Sequence, residues 1–490
     1  MGFGGAQFRI APLAFQMLYI IPCPRLYEGA EIWGRVTVER HDVVIVGGGI
    51  AGLAAAWALR DRDVVLVEAQ DRVGGRIFNK RRGPNWMITG AHFIGGPDSP
   101  MGRLAAELGL ETIRAEGEMA TVWKDGRLVR GGRFETYPFR IPLSLGGRLS
   151  LIRTGIRLRL ANIRARRYSD DPIRGLEGFD GPAVTVAGHP GLDAETFDKT
   201  LGRMHPEVEA IMRTIVNRVT AESHEMSGHF GAALVGNLWA KKTMDRRTIL
   251  GGLTELTEAI ARRLGNRVMR GTPVEAIVAD KDGVTVRAVQ GGKDVVIAAR
   301  YAIVATPAPI TRRIVSGLPD DKAAALDAVR YGPYVNMAML TNETGPMPYD
   351  DIYMVGVIDR SFCMFYNTMN PVRRKGAPRA PGGALVVHSG ADQAASLLKR
   401  TDDEIRDIFL KDVHEIFPET RGIVTETWVQ RWELGYPYWP PGRLGFQEAL
   451  ARPFGPIHFS GDYVGYASTG PTSQSSFLAA REVRKKLEAA

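Results

Sequence analysis

His41 to Arg76 reads HDVVIVGGGIAGLAAAWALRDRDVVLVEAQDRVGGR, and this stretch decides the fold. Val43 to Val46 are four apolar residues in a row with no polar alternation, the pattern of a strand buried on both faces in a parallel sheet. Gly47, Gly49 and Gly52 then set out G-x-G-x-x-G where that strand must turn into a helix. The first glycine permits the tight turn, the second lets backbone approach a pyrophosphate, and the third lets helix and strand pack closely. Leu53 to Leu59 supply the helix, with Ile50 and Ala51 opening it beside the phosphate. A second apolar strand, Val64 to Val67, ends in Glu68 with Ala69 behind it. Glu68 lies about 20 residues past the glycines, where an acidic side chain binds a ribose 2'-hydroxyl. Strand, glycines, helix, strand and acid in that order predict a dinucleotide site rather than a bare turn.

Gly74, Gly75 and Arg76 follow closely. With them the motif E-A-x-D-R-V-G-G-R resembles the FAD signature of the flavin amine oxidase superfamily, which also holds protoporphyrinogen oxidases and phytoene-desaturase-type enzymes. The resemblance runs from Asp42 to the carboxyl terminus. It implies an α/β fold with a Rossmann-like FAD-binding domain, discontinuous in sequence, and an α+β substrate domain. The expected FAD-binding segments are 40–95, 245–310 and 445–490. The substrate domain takes 96–244 and 311–444, and residues 1–39 form a poorly ordered leader.

The remaining motifs fall in the family's order. Gly90, Ala91, His92 and Phe93 match a segment that the family sets against the flavin ring, although Ile88 and Thr89 stand where many relatives carry an acid. After a hairpin around Asp282 and Gly283, Y-A-I-V-A-T-P-A-P returns the chain to the FAD domain. By resemblance Val274 lies beside the adenine and Ala305 near the dinucleotide. In the tail, Gly461 and Asp462 correspond to the site of the ribityl and pyrophosphate groups, and a helix from about Thr472 points its amino terminus at the flavin. Ser476 stands where a glycine is usual in that helix.

Several positions depart from simple amine oxidases. Many of those place a lysine on the strand Val335 to Leu340, and Asn336 stands at that place. Asparagine cannot supply the charge. Leu434 and Gly435 occupy the region where some relatives bond FAD through a cysteine, so the flavin is expected to be held non-covalently. The loop Ala467 to Gly470 has no aromatic residue. Gln430 to Arg443, QRWELGYPYWPPGR, resembles a segment of protoporphyrinogen oxidases and carotenoid desaturases, with Tyr436, Tyr438 and Trp439 as candidate walls for a flat substrate. His92 and Asn336 are the candidates for a chemical role, and the hard chemistry belongs to the cofactor. These departures favour dehydrogenation of a lipophilic small molecule at carbon–carbon bonds. The alternatives are amine or amino-acid oxidation giving imine and peroxide, and flavin binding without turnover. The electron acceptor is oxygen or a quinone.

Composition bounds the rest. The chain has 490 residues, 44% of them hydrophobic and 24% charged, as in ordinary globular proteins of more than one domain. Two distant cysteines, Cys23 and Cys363, form no disulfide framework or metal spacing, and a cytoplasmic setting follows. No H-E-x-x-H gathers His205, His224 and His229, so no metal is expected. The net charge of +9 comes without zinc spacing or RNP-like aromatics, so nucleic acid is not an expected partner. Ile10 to Pro22 is apolar but shorter than the roughly 20 residues of a membrane span; a leader or a membrane-touching anchor are the two readings. The loop with Lys241, Lys242, Arg246 and Arg247 reads as a solvated charge run or as a contact for an acidic group. Over 143–168 a basic helix carries Leu149, Ile152, Ile156, Leu160 and Ile163 at spacings of three and four, with arginines between them. It reads either as a peripheral membrane contact or as a substrate-domain helix with a solvated arginine face.

Overall fold

The computed structural model describes residues 38–166, 188–236, 245–373 and 380–489. The leader through residue 37, Cys23, Lys241, Lys242, Arg167 and Tyr168 lie outside the described residues.

The first strand, Val38–Val46, has no polar face at its end because a core covers each side of it there: Val43 and Ile45 enter one, Val44 and Val46 the other. It pairs in parallel with Val64–Val67 and with Lys293–Val304, and Val43, Val44 and Ile45 are fully buried. The full order is Val274–Asp280, Gly283–Gln290, Lys293–Val304, Val38–Val46, Val64–Val67 and Val268–Met269. Ile457–Phe459 adds itself beside Lys293–Val304, again in parallel. One sheet is thus assembled from the front, middle and tail of the chain. The alanine-rich helix Ile50–Ala58 packs on it together with the carboxyl-terminal helix Thr469–Ala489, and Leu53, Ala55, Phe477 and Val483 share one core. The opposite face of the sheet is covered by a second core that runs on through Ala325, Leu326 and Val329, past residue 310.

A second sheet orders Val424–Tyr438, Arg330–Thr341, Gly383–Gly390, Met364–Asn367, Met354–Val357, Thr121–Lys124 and Arg127–Val129. Its central strand puts Asn336 opposite His388 on one side and Gln430 on the other. Asn79 to Asn85, which reads as a polar turn, is a correction: Asn79–Arg82 and Asn85–Ile88 form an antiparallel hairpin, because Trp86, Met87 and Ile88 have a core to enter.

The arginine-rich helix spans Leu145–Arg166. Leu158, Ala161 and Ala165 are buried beneath it, and Asn162 donates to the Ala232 carbonyl at 3.2 Å. The apolar row Leu149, Ile152, Ile156, Leu160 and Ile163 faces outward. No helix among the described residues is long and apolar enough to cross a membrane.

Candidate active site

The glycine turn is shaped from both sides. Gly47 has φ +108°, open to glycine but not to other residues, and its amide donates to the Val67 carbonyl. A Cβ on Gly52 would lie 1.8 Å from the Gly47 carbonyl oxygen, so helix and turn touch as the motif requires. A Cβ on Gly49 would meet nothing within 4 Å. That open space lies at the amino end of Ile50–Ala58, which has no side-chain cap and no acidic residue in its first turn. The backbone N–H groups of that first turn suit an anion.

Glu68 borders the same space. Its carboxylate accepts from the Gly48 amide at 2.6 Å and from the Gln70 amide at 2.8 Å, which aims it across the turn while Ala69 stays exposed. Gly74 donates its amide to the Gly48 carbonyl, stacking the second glycine pair, Gly74 and Gly75, on the first. Thr272 donates to the Glu68 carbonyl, bringing the start of Val274–Asp280 to the acidic corner. Ala305 donates to Val46, and its carbonyl oxygen is 2.9 Å from a Cβ built on Gly47. The donor set, the open cradle and the anionic corner fit a dinucleotide.

Arg76 and Asp462 join the front of the chain to its tail, with 2.5 Å between them. Arg76 also reaches the Leu434 and Gly435 carbonyls, and Asp462 accepts from the Tyr331 hydroxyl at 2.9 Å. The expected cofactor contact Asp462 is therefore already held by two protein donors. Ser475 receives the Gly461 amide, and Ser476 bonds Ser460 at 2.7 Å and the Thr472 carbonyl. The serine at the usual glycine position laces the last helix to the end of its strand.

Next to Arg76 the backbone of Gly90, Ala91, His92 and Phe93 is tightly set. A Cβ on Gly90 would lie 1.9 Å from the Arg76 carbonyl oxygen, and Ala91 donates to that same carbonyl. Thr89 is gripped by two donors on its carbonyl, Asn336 Nδ2 at 2.8 Å and Trp432 Nε1 at 2.7 Å. Asn336 thus acts here as a clamp on the segment before His92, a place for an amide that a charged lysine would fill differently.

His92 sits in a cluster of rings: Phe93 at 4.3 Å, Tyr366 at 4.8 Å and His388 at 5.9 Å between centroids. Burial holds the His92 pKa down to about 4. Burial and then the neighbouring His92 hold His388 down to about 3. Both rings are neutral at ordinary pH and are poor proton acceptors, which argues against His92 as a proton carrier. His92 Nδ1, His388 Nε2 and Asn336 Oδ1 are buried without a protein partner among the described residues.

Sequence reasoning missed His388, Tyr353 and Tyr366, because isolated aromatic and imidazole residues on separate strands carry no motif. The register joins them. Met364, His388, Asn336 and Gln430 lie opposite one another across four strands, and directly opposed residues share a sheet face. Met364 and Met354 also line a cavity of about 650 Å³. The row therefore runs from that cavity, through His388 and Asn336, to Thr89.

The cavity is bounded by the arginine-rich helix, by Ile211 and Thr214 on the helix Pro206–Asn217, and by Thr121–Lys124. Its walls are mostly apolar, with Glu135, Arg159 and Arg218 the charged groups that line it. Arg218 donates to the Leu234 carbonyl, and Arg246 contacts Met119 Sδ at 3.1 Å. Neither arginine has a carboxylate partner among the described residues. Burial, then the charge of Arg218, lowers the Arg246 pKa.

Tyr436, Tyr438 and Trp439 are not among the residues lining this cavity. Tyr438 is directed to Glu225, and Tyr436 accepts at its carbonyl from Thr220. Trp439 is buried in a stack with Tyr466, 4.6 Å between centroids, and with Phe230 at 5.9 Å. The tail does bring an aromatic ring, but it comes from Tyr466 upstream of the loop and packs into the core. His205 caps the helix Pro206–Asn217, Arg247 pairs with Asp245, and Cys363 is buried with its thiol on the His388 carbonyl.

The sequence profile of the flavin containing amine oxidoreductases matches residues 50–484. Flavin-containing amine oxidase A of Canis lupus familiaris is 25% identical over 461 residues, covering 87% of this chain and 81% of its own. Flavin-containing amine oxidase B of Homo sapiens is 26% identical, covering 86% and 81%. Among solved structures, wild-type putrescine oxidase bound to putrescine superposes with a TM-score of 0.70 at 20% identity, covering 93% of this chain and all of that one. Cyclohexylamine oxidase from Brevibacterium oxydans IH-35A gives 0.71 at 20% identity, covering 91% and 99%.

Proposed function

The chain belongs to the family of flavin-containing amine oxidoreductases, and from that premise we propose that it oxidises the carbon–nitrogen bond of an amine whose remainder is apolar. It is an FAD-dependent oxidoreductase with the flavin held non-covalently. The comparisons favour amine oxidation over the carbon–carbon dehydrogenation that Gln430 to Arg443 suggested, since the named relatives are amine oxidases. The observation that carries the substrate class is the apolar cavity whose methionines stand in register with His388 and Tyr366 beside the segment Gly90 to Phe93.

When bound, FAD supplies the hydride acceptor. Gly47, Gly49 and the amides opening Ile50–Ala58 would hold its pyrophosphate, Glu68 its ribose, and Arg76 with Gly90 to Phe93 the isoalloxazine side. The chain's own part is to desolvate and orient. Two guanidiniums, Arg159 and Arg218, line this cavity against one carboxylate, Glu135, so the neutral amine is the favoured form. The neutral form is the one that can give up a hydride from its α-carbon, leaving an iminium ion that loses a proton to water to become the imine. His92 and His388, both uncharged, add no competing charge. Asn336 and Trp432 keep the Thr89 backbone fixed, which holds the following segment in place.

The test is anaerobic bleaching of the bound flavin by a panel of aliphatic and aromatic amines, amino acids, porphyrinogens and polyenes, with peroxide assayed after oxygen is admitted. Bleaching by an apolar amine, followed by peroxide, is the expected result. Bleaching by porphyrinogens or polyenes alone would overturn the reading. No bleaching by any of them would return the protein to a flavin binder without turnover.

A further inference from the structure

The helix Leu145–Arg166 has two apolar faces, and only one of them is used. Leu158, Ala161 and Ala165 point into the protein. Leu145, Leu149, Ile152, Ile156, Leu160 and Ile163 point away from it, with 37 to 79% of their surface exposed. Their spacing of four, three, four, four and three aligns them in a single row along a helix of 3.6 residues per turn.

Arginines border this row on both sides. At 100° per residue, Arg153, Arg157 and Arg164 fall along one flank and Arg148 and Arg159 along the other. The helix contains no acidic residue. Among the described residues Arg153 and Arg157 reach the carbonyls of Arg203 and Leu201, contacts that do not neutralise their charges. An apolar strip between two cationic rails matches a surface that is apolar below and anionic at the level of its headgroups.

The row also coincides with the cavity's rim: Ile152, Ile156, Arg159 and Leu160 belong both to the helix surface and to the cavity lining. Whatever covers the row covers the mouth. We propose that Leu145–Arg166 seats the protein on an anionic lipid bilayer, and that the cavity under it receives a substrate that partitions into that bilayer. The docking half stands without the amine-oxidising reading; the substrate half rests on it and specifies the amine as one with a long alkyl or aryl tail.

Flotation with vesicles of phosphatidylcholine, with and without phosphatidylglycerol, tests the docking without any turnover. The full-length flavoprotein is expected to float with the anionic vesicles at low salt, and to lose most of that binding in phosphatidylcholine alone or in high salt. The Leu145→Glu, Leu149→Glu double variant changes only exposed positions outside the cavity lining. It is expected to keep the melting temperature and bound flavin of the parent while vesicle binding falls by at least about tenfold. No binding of the parent at low salt overturns the proposal. So does binding that survives the double variant, which would belong to another part of the chain. A concentration-dependent dimer that the variant dissolves, without vesicle binding, would assign the row to a second copy and overturn it equally. For the substrate half, kcat/KM for a long-chain amine is expected to rise on adding anionic vesicles in the parent but not in the variant, with a short-chain amine unaffected. Equal responses of the two amines overturn that half alone.

Discussion

Gly49 and Gly52, three residues apart, give opposite outcomes when substituted. Gly52→Ala would drive a methyl onto the Gly47 carbonyl oxygen at 1.8 Å, and backbone cannot move aside as a flexible side chain can. Its expected cost is about 3 kcal/mol or more, read as a large drop in melting temperature with loss of flavin. Gly49→Ala meets open space at φ −69°, a conformation any residue adopts. The apoprotein should melt as the parent does, while flavin affinity falls at least about tenfold, because the added methyl stands where the pyrophosphate must approach. Equal flavin affinity in Gly49→Ala would remove the phosphate from this turn. Histidines set a second prediction. His92, His229 and His388 are held at about 4, about 4 and about 3, each chiefly by burial, against about 6.5 in the unfolded chain. Between these values the unfolded state binds protons that the folded state refuses. Stability is therefore full above about pH 6.5 and falls as pH drops towards about 4. Asp193 and Glu222, raised by burial, work in the opposite sense. Melting temperatures measured across that window should decline on acidification, and a rise would show the carboxylates dominating. The glycines and Glu68 were legible in sequence because each has a conformational or chemical duty tied to spacing. His388 was not, since nothing local distinguishes a buried neutral imidazole from a surface one.

Elements with a strong period were equally legible, and their partners were not. Val43 to Val46 announced a strand buried on both faces, and the cores packed on the two sides of the sheet explain why. The hairpin Asn79–Arg82 and Asn85–Ile88 was hidden under polar residues, because its burial comes from one strand alone and from a core supplied by distant chain. The arginine-rich helix shows the same limit: its apolar row was visible at once, but whether that row faces in or out depends on the other apolar face, Leu158, Ala161 and Ala165, which competes for the interior. Asn336 tests how one element positions another. It and Trp432 share a single acceptor, the Thr89 carbonyl. Removing either donor leaves the carbonyl satisfied, so Asn336→Ala or Trp432→Phe should each cost about 1 kcal/mol from the hydrogen bond, with Trp432 losing little packing. Removing both leaves a buried carbonyl without a partner and should cost more than the sum of the two. The readout specific to positioning is the visible flavin spectrum together with kcat, which should shift in the double variant more than KM. An additive pair with an unchanged spectrum would reduce Asn336 to a packing residue.

At the scale of the whole molecule, the decisive feature is that no contiguous piece of chain can build the nucleotide side. Val38–Val46 needs Lys293–Val304 beside it, and that strand in turn carries Ile457–Phe459. The Arg76 to Asp462 pair ties front to tail once more. The discontinuity was legible because separate motifs recurred in a fixed order, yet the choice between amine and carbon–carbon chemistry was not. It turned on Asn336 and on the aromatic segment Tyr436 to Trp439, and the structure gives those residues clamping and core-packing duties that carry little information about substrate. A cradle assembled from three remote stretches has a thermodynamic consequence. Any ligand bound across it is bound only when all three have come together, so its binding energy adds to folding as RT ln(1 + [L]/Kd). With free FAD at about a thousand times Kd the gain is roughly 4 kcal/mol. Stripping the flavin should therefore lower the melting temperature by several degrees, and returning FAD should restore it in a concentration-dependent way. The Asp462→Asn variant separates the two sources of cohesion. It leaves Arg76 without its carboxylate and should destabilise the apoprotein, yet added FAD should still raise its melting temperature, because the glycine turn and Glu68 remain. A variant that no concentration of FAD stabilises would mean that Asp462 holds the cofactor itself rather than the joint between the two ends of the chain.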